Sequence, residues 1–512
     1  MRTIDTTWTP AVEQAFRLSH AYLTLAKGTQ QATLQGRKGQ TVSFWYQTVN
    51  ILKAYTNRMS DLQAPESPRV VFPDATDPAL TKAATALLAQ SRLPDLLYPI
   101  CLRKSPVGYT VVKLVVDPTR GTAQEVLWGN NPGEFATFNY DPTAPWETTA
   151  VNFWFLVEVV DPLNREKKTT YRVRERHELV SIVRAPATED GQPETASYAP
   201  ITYDEQGNPT GNYGALTTYR AWKEGEEEKE PTPWETLAPA WAQGGQPAEV
   251  TFTAKITMLP GYLINNRDTT GDGVGDSDYD ESLLDIQEGI NVIMSSRHFT
   301  IRVAETPDIA IPEDMTDATG GIDFNSIKMR ITRPGEATDR LIAMPAFQGT
   351  LESSSSQIEL LMDAYYLLSD TSPVLDGKGT GSDASGAALR LSLQKPIIAT
   401  TRRRQPFTGL YLWDVQYRMM LARLRDQSAA DPSTVSSLAL EWKPPIPADL
   451  TVETQICSTA KRDNVMSDEL YVKRINPDFT PTQVQQEIAR RDADNMKAAG
   501  SSLGTPGFIP AA

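Results

Sequence analysis

The chain is poor in the residues that enzymes use most for metal binding and nucleophilic catalysis. Its 512 residues include only three histidines and two cysteines. Zinc sites and histidine-based catalytic groups draw on clusters of these side chains, so there is little material for either. Cys101 and Cys457 lie far apart in sequence, which is typical of reduced thiols in a cytosolic protein. The sequence therefore predicts no cofactor and favours a protein that is not an enzyme.

Long apolar runs are also missing. No stretch approaches the ~18 consecutive apolar residues that a membrane helix needs, and residues 1–10 lack the apolar centre of a signal peptide. With 40% hydrophobic residues and 10 tryptophans, the chain can still bury a large core. We therefore expect a soluble cytoplasmic product without a membrane partner, divided by its length into two to four domains.

Positive charge is the third shortage. The chain has 49 Lys and Arg against 64 Asp and Glu, a net charge of −15. Tight binding of nucleic acid depends on basic clusters that release counterions from the phosphates, so this balance argues against a protein that grips nucleic acid. An acidic wall with a few positive charges would instead suit a protein that lets nucleic acid slide past.

Hydrophobic spacing predicts helices first, then strands, then a second helical half, which makes the fold class α+β. The first half is predicted to contain helices at 9–30, 41–64 and 77–102, the last broken at Pro94, and strands at 109–117, 125–128, 151–160, 169–184 and 250–259. Residues 186–249 are rich in Pro, Gly and Glu, which predicts a surface insertion with short strands around 213–222.

The second half is organised around a helix, a loop and a long helix. Two helices, 278–297 and 350–370, flank a β-rich unit at 298–349 that includes a predicted strand at 299–303. A Gly/Ser/Asp-rich loop, 371–385, leads into a long helix from Gly386 to Arg425 that is interrupted at Pro396. The remaining elements are a strand at 438–442, helices at 456–471 and 481–498, and a flexible tail from residue 500.

Charge is distributed unevenly over these helices. Residues 278–297 hold five acids and one base, residues 350–370 hold four acids and no base, and residues 391–425 hold seven bases and one acid. The opposite signs favour pairing between neighbouring copies of the chain, with contact to DNA as the second interpretation. The acidic candidates are Asp285, Glu288, Glu352, Glu359 and Asp363, and the basic candidates are Arg402, Arg403 and Arg404.

Two glycine-rich stretches suggest ligand sites without completing one. Residues 377–381, GKGTG, lack the spacing of a P-loop and follow a helix rather than a strand, which favours a flexible loop. Residues 267–281 place Asp268 and Asp272 as in an EF-hand loop, but Tyr279 stands where a bidentate glutamate is required. A weak calcium site and a flexible acidic turn are the two interpretations of this stretch.

Five segments, in this order, resemble portal proteins of tailed double-stranded DNA bacteriophages of the long-tailed type. The segments are PGYLINNRD leading into SDYDESLLDIQEGINVIMSS, then LMDAYYLLSDTS, SDASGAALRL, EWKPPIPAD and NPDFTPTQVQQEIARRDAD. The resemblance covers nearly the whole chain. It implies the portal fold, in which a mixed α/β wing carries a two-helix stem, a small β-rich clip and a helical crown.

The resemblance also implies a role for each part of the chain. The implied parts are a wing at 1–277 with the insertion 186–249, stem helices at 278–297 and 350–370, a clip at 298–349, a tunnel loop at 371–385, a long wing helix and linker at 386–440, a last wing strand at 441–455, and a helical crown with a flexible tail at 456–512. The tunnel loop would lie near DNA, with Lys378 as its base and Asp376, Gly377, Gly379 and Gly381 around it.

The resemblance further implies a ring of twelve copies at one capsid vertex, the channel for DNA packaging and ejection. The implied partners are other copies of the chain, double-stranded DNA, the large terminase subunit, the major capsid and scaffolding proteins, and a head–tail adaptor. The implied location is the virion, and the host cytoplasm during assembly. Two alternatives stay open: a nucleotide- or metal-dependent enzyme, and a ring-forming adaptor that does not conduct DNA.

Overall fold

The computed structural model describes most of the chain between residues 47 and 502. The described residues are 14, 17–18, 21–24, 47–73, 77–116, 123–129, 131, 133–140, 148–160, 168–185, 195–201, 210–224, 231–232, 250–267, 275–305, 348–378, 391–426, 429–445, 457–463, 465–476 and 479–502. They form both helices and antiparallel sheets, so the mixed α+β class is confirmed. The chain divides into two compact units, Met1–Lys443 and Pro444–Ala512. No helix in these ranges is long and apolar enough to cross a membrane.

Helices α1 (Ile51–Gln63), α2 (Pro78–Leu88) and α3 (Leu93–Val107) precede the first large sheet, and the described residues 14, 17–18 and 21–24, within the predicted helix 9–30, are helical as well. Helix α1 begins later than predicted, because the side chain of Asn50 caps it by accepting a hydrogen bond from the Lys53 amide at 2.8 Å. The predicted break at Pro94 is confirmed, since α2 ends at Leu88 and Pro94 lies in the first turn of α3. A proline fits there because the first-turn amides of a helix have no partner within it.

The strands form three antiparallel sheets. They are β1 (Arg69–Val71), β2 (Tyr109–Val116), β3 (Ala123–Trp128), β4 (Phe135–Tyr140), β5 (Thr148–Val160), β6 (Lys168–Ala185), β7 (Thr195–Pro200), β8 (Tyr213–Lys223), β9 (Val250–Ala254), β10 (Gly261–Asn265) and β11 (Ala439–Glu441). Their orders are β1-β11, β10-β2-β3 and β4-β5-β6-β8-β9, with β7 paired to β6 outside this path. The predicted pairing of the strands at 151–160 and 169–184 is confirmed by β5 and β6.

Strand β8 lies inside the six-stranded sheet, between β6 and β9. Ala221 and Trp222 on this strand are buried. Residues 213–223 are thus an inner strand rather than the short surface strands expected within 186–249. The strand is hard to predict because the Pro-, Gly- and Glu-rich sequence around it has the composition of a loop.

The helices of the second half are α4 (Glu281–Glu305), α5 (Gln348–Leu368), α6 (Gln394–Arg425), α7 (Asp468–Ile475) and α8 (Pro481–Ser502). The predicted strand at 299–303 is wrong, because α4 continues through it to Glu305. Its aromatic and β-branched residues favour a strand only weakly, and extending an existing helix needs no new nucleus. The remainder of the predicted clip, residues 306–347, lies outside the described residues.

Helix α6 runs through the main core of the first unit. Residues 391–392 are helical, the helix breaks at Leu393, and α6 follows with Pro396 in its first turn. The buried face of α6 packs with side chains of α3, β2 and β3; from α6 it contributes Phe407, Leu410, Tyr411, Trp413, Val415, Tyr417, Met419 and Met420. A helix buried on most of its surface explains why its charged side chains need partners inside the fold.

The described residues of the second unit lie mostly in helices. Residues 457–462 form a helix, and the predicted helix at 456–471 is interrupted because Ser467 starts α7 by accepting a hydrogen bond from the Leu470 amide at 3.3 Å. In α8, Arg490 and Arg491 both pair with Glu487. Helix α8 extends past the predicted end at residue 498, to Ser502, and residues 503–512 of the predicted tail lie outside the described residues.

A buried cluster of charges fastens α6 to β3. Arg418 donates from Nε to Asp414 Oδ1 at 2.9 Å and also pairs with Glu125. The second oxygen of Glu125 accepts the Arg92 amide at 2.8 Å, at the start of α3. Burial, together with the charge of Glu125, raises the pKa of Asp414 to about 7.

This raised pKa predicts a pH-dependent stability. In the folded protein Asp414 keeps its proton up to a pH of about 7, whereas in the unfolded chain it loses the proton near its ordinary pKa, 3.8. Between these two pH values the folded protein therefore binds one proton more than the unfolded chain. Stability should therefore fall as the pH rises from about 5 to about 8. In Asp414→Asn, which cannot ionise, that fall should shrink by roughly 1–3 kcal/mol. Urea unfolding followed by tryptophan fluorescence measures it, and an equal fall in both proteins would contradict the assignment.

Candidate functional site

Helices α4 and α5 form an antiparallel pair. Gly289 of α4 faces Leu361 of α5, and Arg297 Nη1 donates to Ser355 Oγ at 2.9 Å. Residue numbers thus rise along α4 while those of their partners fall along α5, which makes the pair antiparallel. A Cβ at Gly289 would lie 3.3 Å from Leu361 Cδ1, which shows how closely the helices approach. At ~1.5 Å per residue the pair is a rod roughly 30–40 Å long.

A polar ladder joins α4 to residues 47–52, the segment that leads into α1 and the first two residues of that helix. The side chain of Gln287 accepts from the amides of residues 51 and 52 at 2.9 and 3.2 Å. One turn on, Asn291 Oδ1 accepts the Val49 amide at 2.9 Å, and Ser295 Oγ accepts the Gln47 amide at 2.7 Å. Sequence reasoning missed this ladder, although the spacing of four residues between amide and hydroxyl side chains on one helix face was its signal.

A single arginine joins the base of the helix pair to α6. Arg403 Nη2 lies 2.7 Å from Asp278 Oδ1, 2.7 Å from Asp370 Oδ2 and 3.2 Å from the Tyr55 hydroxyl. Asp278 precedes α4 and Asp370 follows α5, while Tyr55 belongs to α1. We call these four residues the arginine clamp. It fixes both ends of the helix pair that meet the body of the unit.

The clamp lies inside the protein. The exposed fraction of the Arg403 side chain is 1%, and that of Asp278 is 0%. Burial by itself lowers the pKa of Arg403, but the nearby Asp278, Tyr55 and Asp370 outweigh it and raise that pKa above its ordinary value. The guanidinium group therefore stays charged. Removing it would leave the buried Asp278 and the partly exposed Asp370 with Arg267 as their one ion-pair partner among the described residues, its nitrogens 3.8 and 3.7 Å from these carboxylates.

The segment before α4 is held in place by the end of α3. Ser277 Oγ donates to the Pro106 carbonyl at 2.6 Å, the Asp278 amide donates to the Ser105 carbonyl at 2.8 Å, and Ser105 Oγ donates to Asp278 Oδ2 at 2.7 Å. Gly108 ends α3 with a φ of +92° and touches this segment closely. These contacts hold the Asp278 carboxylate in position to bind Arg403.

The predicted tunnel loop is described from residue 371 to residue 378. A short 3-10 helix, Pro373–Asp376, ends at Gly377, whose φ of +70° suits glycine. Asp376 is not a free loop residue, because it accepts a hydrogen bond from Tyr366 and pairs with Arg58. Lys378 is exposed. Gly379 and Gly381 lie outside the described residues.

The acidic candidates divide into exposed and buried residues. Asp285, Glu352, Glu359 and Asp363 are exposed, and the last three share one face of α5. Glu288 is only 4% exposed, so it does not face a channel. The correction follows from its position next to Gln287, on the side of α4 that packs inward. Asp268 and Asp272, the weak calcium candidates, lie outside the described residues, and no metal-binding cluster occurs within those residues.

Two of the three basic candidates are used inside the chain. Arg403 belongs to the clamp, and Arg404 donates to the carbonyls of Leu62, Gln63 and Lys443 at 2.8 to 3.0 Å. Their burial corrects the hypothesis that they contact DNA or a neighbouring copy. Arg402 alone of the three is exposed. A charge count along the sequence could not separate them, since all three occupy adjacent positions of one buried helix.

Breaking the clamp should be costly. We expect Arg403→Met to destabilise the first unit by about 3–5 kcal/mol, because Asp278 and Asp370 lose their buried partner. Adding Asp278→Asn should recover part of this loss, since one uncompensated charge is removed. Arg425→Met, at an exposed position near the end of α6, is the control and should change stability by less than about 0.5 kcal/mol. Urea unfolding compares the four proteins; equal losses at 403 and 425 would contradict the clamp.

The close approach at Gly108 predicts a second sensitive position. In Gly108→Ala the new Cβ would lie 2.7 Å from Ser277 N and 2.8 Å from the Asp276 carbonyl carbon, in addition to the strain of a positive φ. Gly211, with a φ of +77°, has nothing within 4 Å of that position and is the matched control. We expect Gly211→Ala to cost about 1–2 kcal/mol and Gly108→Ala at least about 3. Urea unfolding of both variants measures the two losses of stability. Similar losses at 108 and 211 would show that the close approach of Gly108 to residues 276–277 does not matter for stability.

Comparison with models of known protein families finds no match to this chain. Comparison with curated proteins finds none either. The likeness to portal proteins therefore rests on the order of elements and on the short segments quoted from the sequence.

Proposed function

We propose that this chain is a phage portal protein, which forms a ring at one capsid vertex and serves as the channel for DNA packaging and ejection. In this proposal α4 and α5 are the stem, residues 298–349 contain the clip, and residues 371–385 are the tunnel loop. Residues 1–277 and 386–455 form the wing, and residues 456–512 form the crown. The order of these parts along the chain is the order that the sequence resemblance implies.

The observation that carries the proposal is the antiparallel helix pair with an acidic face and a clamped base. Glu352, Glu359 and Asp363 form an exposed stripe along α5. A structural helix pair needs no such stripe, whereas a channel for a polyanion benefits from one, because repulsion of the phosphates prevents tight contacts. The clamp keeps the pair in one position while DNA moves.

The mechanism is passive. Acidic stripes repeated around a ring would keep the DNA centred, and screening at about 0.15 M salt would confine the repulsion to ~8 Å, the width of a narrow gap. Lys378, exposed beyond the turn at Gly377, offers one positive charge that can meet a phosphate transiently. ATP hydrolysis belongs to a separate motor, the large terminase subunit. The remaining proposed partners are the capsid and scaffolding proteins and the head–tail adaptor.

Purified protein tests this proposal directly. We expect negative-stain microscopy to show rings with a central hole wide enough for duplex DNA, and a mass measurement to give about twelve copies. Such rings should admit linear duplex DNA, which separates a conducting portal from an adaptor ring that does not carry DNA. A compact monomer at all concentrations, or a ring that excludes duplex DNA, would contradict the proposed function.

A further inference from the structure

A cleft of about 1050 Å³ lies beside the arginine clamp. One wall is formed by β10 and the residues after it, as far as Arg267, and the other by the first turns of α6. Asp370 and Arg403 of the clamp lie in its lining. The cleft therefore lies next to the point where the helix pair leaves the body of the first unit.

The lining of the cleft is basic and rich in hydrogen-bond donors. Arg267, Lys395, Arg402 and Arg403 lie in it, with one acid, Asp370. Arg267 and Arg403 pair with Asp278 and Asp370, and Lys395 donates to carbonyls at the end of α5. Arg402, by contrast, is exposed and makes no ion pair with a described residue, so its guanidinium group is available to an acidic group from outside the chain.

The rim of the cleft is apolar. Leu391 is 72% exposed and Ile398 is 43% exposed, and both belong to the lining. An apolar rim suits a protein segment better than a phosphate backbone, which offers no apolar side chain. The fitting partner is a helix that carries acids and at least one apolar residue on one face.

The chain itself presents such a face on α4. Glu281, Asp285 and Val292 are exposed and fall within one narrow arc of the helix. Glu281 and Asp285 occupy the turns directly after Asp278, so they lie at the level of the clamp and of the cleft, and Val292 continues the same face of α4 roughly 20 Å beyond Asp278. The angular position of each residue around its helix can be counted from the residues that join α4 to α5, at about 3.6 residues per turn. Counted in this way, Asp285 and Asp363 lie on opposite sides of the helix pair. The α4 face is thus separate from the acidic stripe assigned to the channel.

We propose that the cleft of one copy receives the acidic face at the start of α4 from the next copy. The inference rests on the proposed ring. Two different surfaces at the same level of the molecule make a heterologous contact, and such a contact closes into a ring when the repeated rotation returns to the first copy without a rise along the axis. Arg402 is the natural partner of Asp285, because it is exposed at the cleft and makes no ion pair with a described residue.

Charge reversal and rescue test the inference. Arg402→Glu and Asp285→Arg should each raise the protein concentration needed for half-maximal assembly at least about tenfold, and the double variant should return it to within about threefold of the wild type. Arg425→Glu, exposed near the other end of α6, is the matched control and should assemble like the wild type. Mass photometry over a dilution series measures assembly, and thermal unfolding of each variant verifies that it is folded.

The outcomes separate this inference from the proposed function. If the wild type forms rings and both single variants assemble equally well, the interface is wrong and the portal proposal stands. If the wild type never assembles, both fail. If Arg402→Glu leaves assembly intact but weakens binding of a short duplex DNA, the cleft serves nucleic acid and the inference is overturned.

Discussion

The position of the helix pair depends on one buried guanidinium group. Arg403 binds Asp278, which lies shortly before α4, Asp370, which lies shortly after α5, and Tyr55 of α1. A buried ion pair contributes little net stability compared with an apolar replacement, because desolvation offsets its attraction. Its value here is positional: the carboxylates of Asp278 and Asp370 are satisfied in one arrangement, so both helices leave the body at a defined place.

The surrounding contacts serve the same arrangement from three sides. The end of α3, at Gly108, holds the segment before α4 by backbone contacts that leave no room for a side chain. The ladder from Gln287 to Ser295 fixes α4 against the backbone of residues 47–52, at the start of α1. The turn after α5 is held by Asp376, which binds both Tyr366 and Arg58. A helix pair supported in this way can move little at its base, which is the property a channel wall requires.

Much of this architecture could be predicted from the sequence, and the failures have physical causes. Strong helical periodicity identified α5, and a proline identified the break between α2 and α3. Short strands were predicted where β8 lies, but its inner position in the sheet could not be predicted because its surroundings have loop composition. The end of α4 was mispredicted because β-branched residues outweighed helix continuation. The roles of Arg403, Arg404 and Glu288 could not be predicted, since net charge along a helix does not reveal which side faces the core.

In the proposed portal, the acidic stripe of α5 faces the channel while the arginine clamp holds its base. A cryo-EM reconstruction of the assembled protein with duplex DNA in the hole tests this arrangement. We expect Glu352, Glu359 and Asp363 to line the hole, and Arg403 to remain bound to Asp278 and Asp370 within each copy. A reconstruction in which these acids face away from the DNA, or in which Arg403 contacts another copy, would contradict this arrangement.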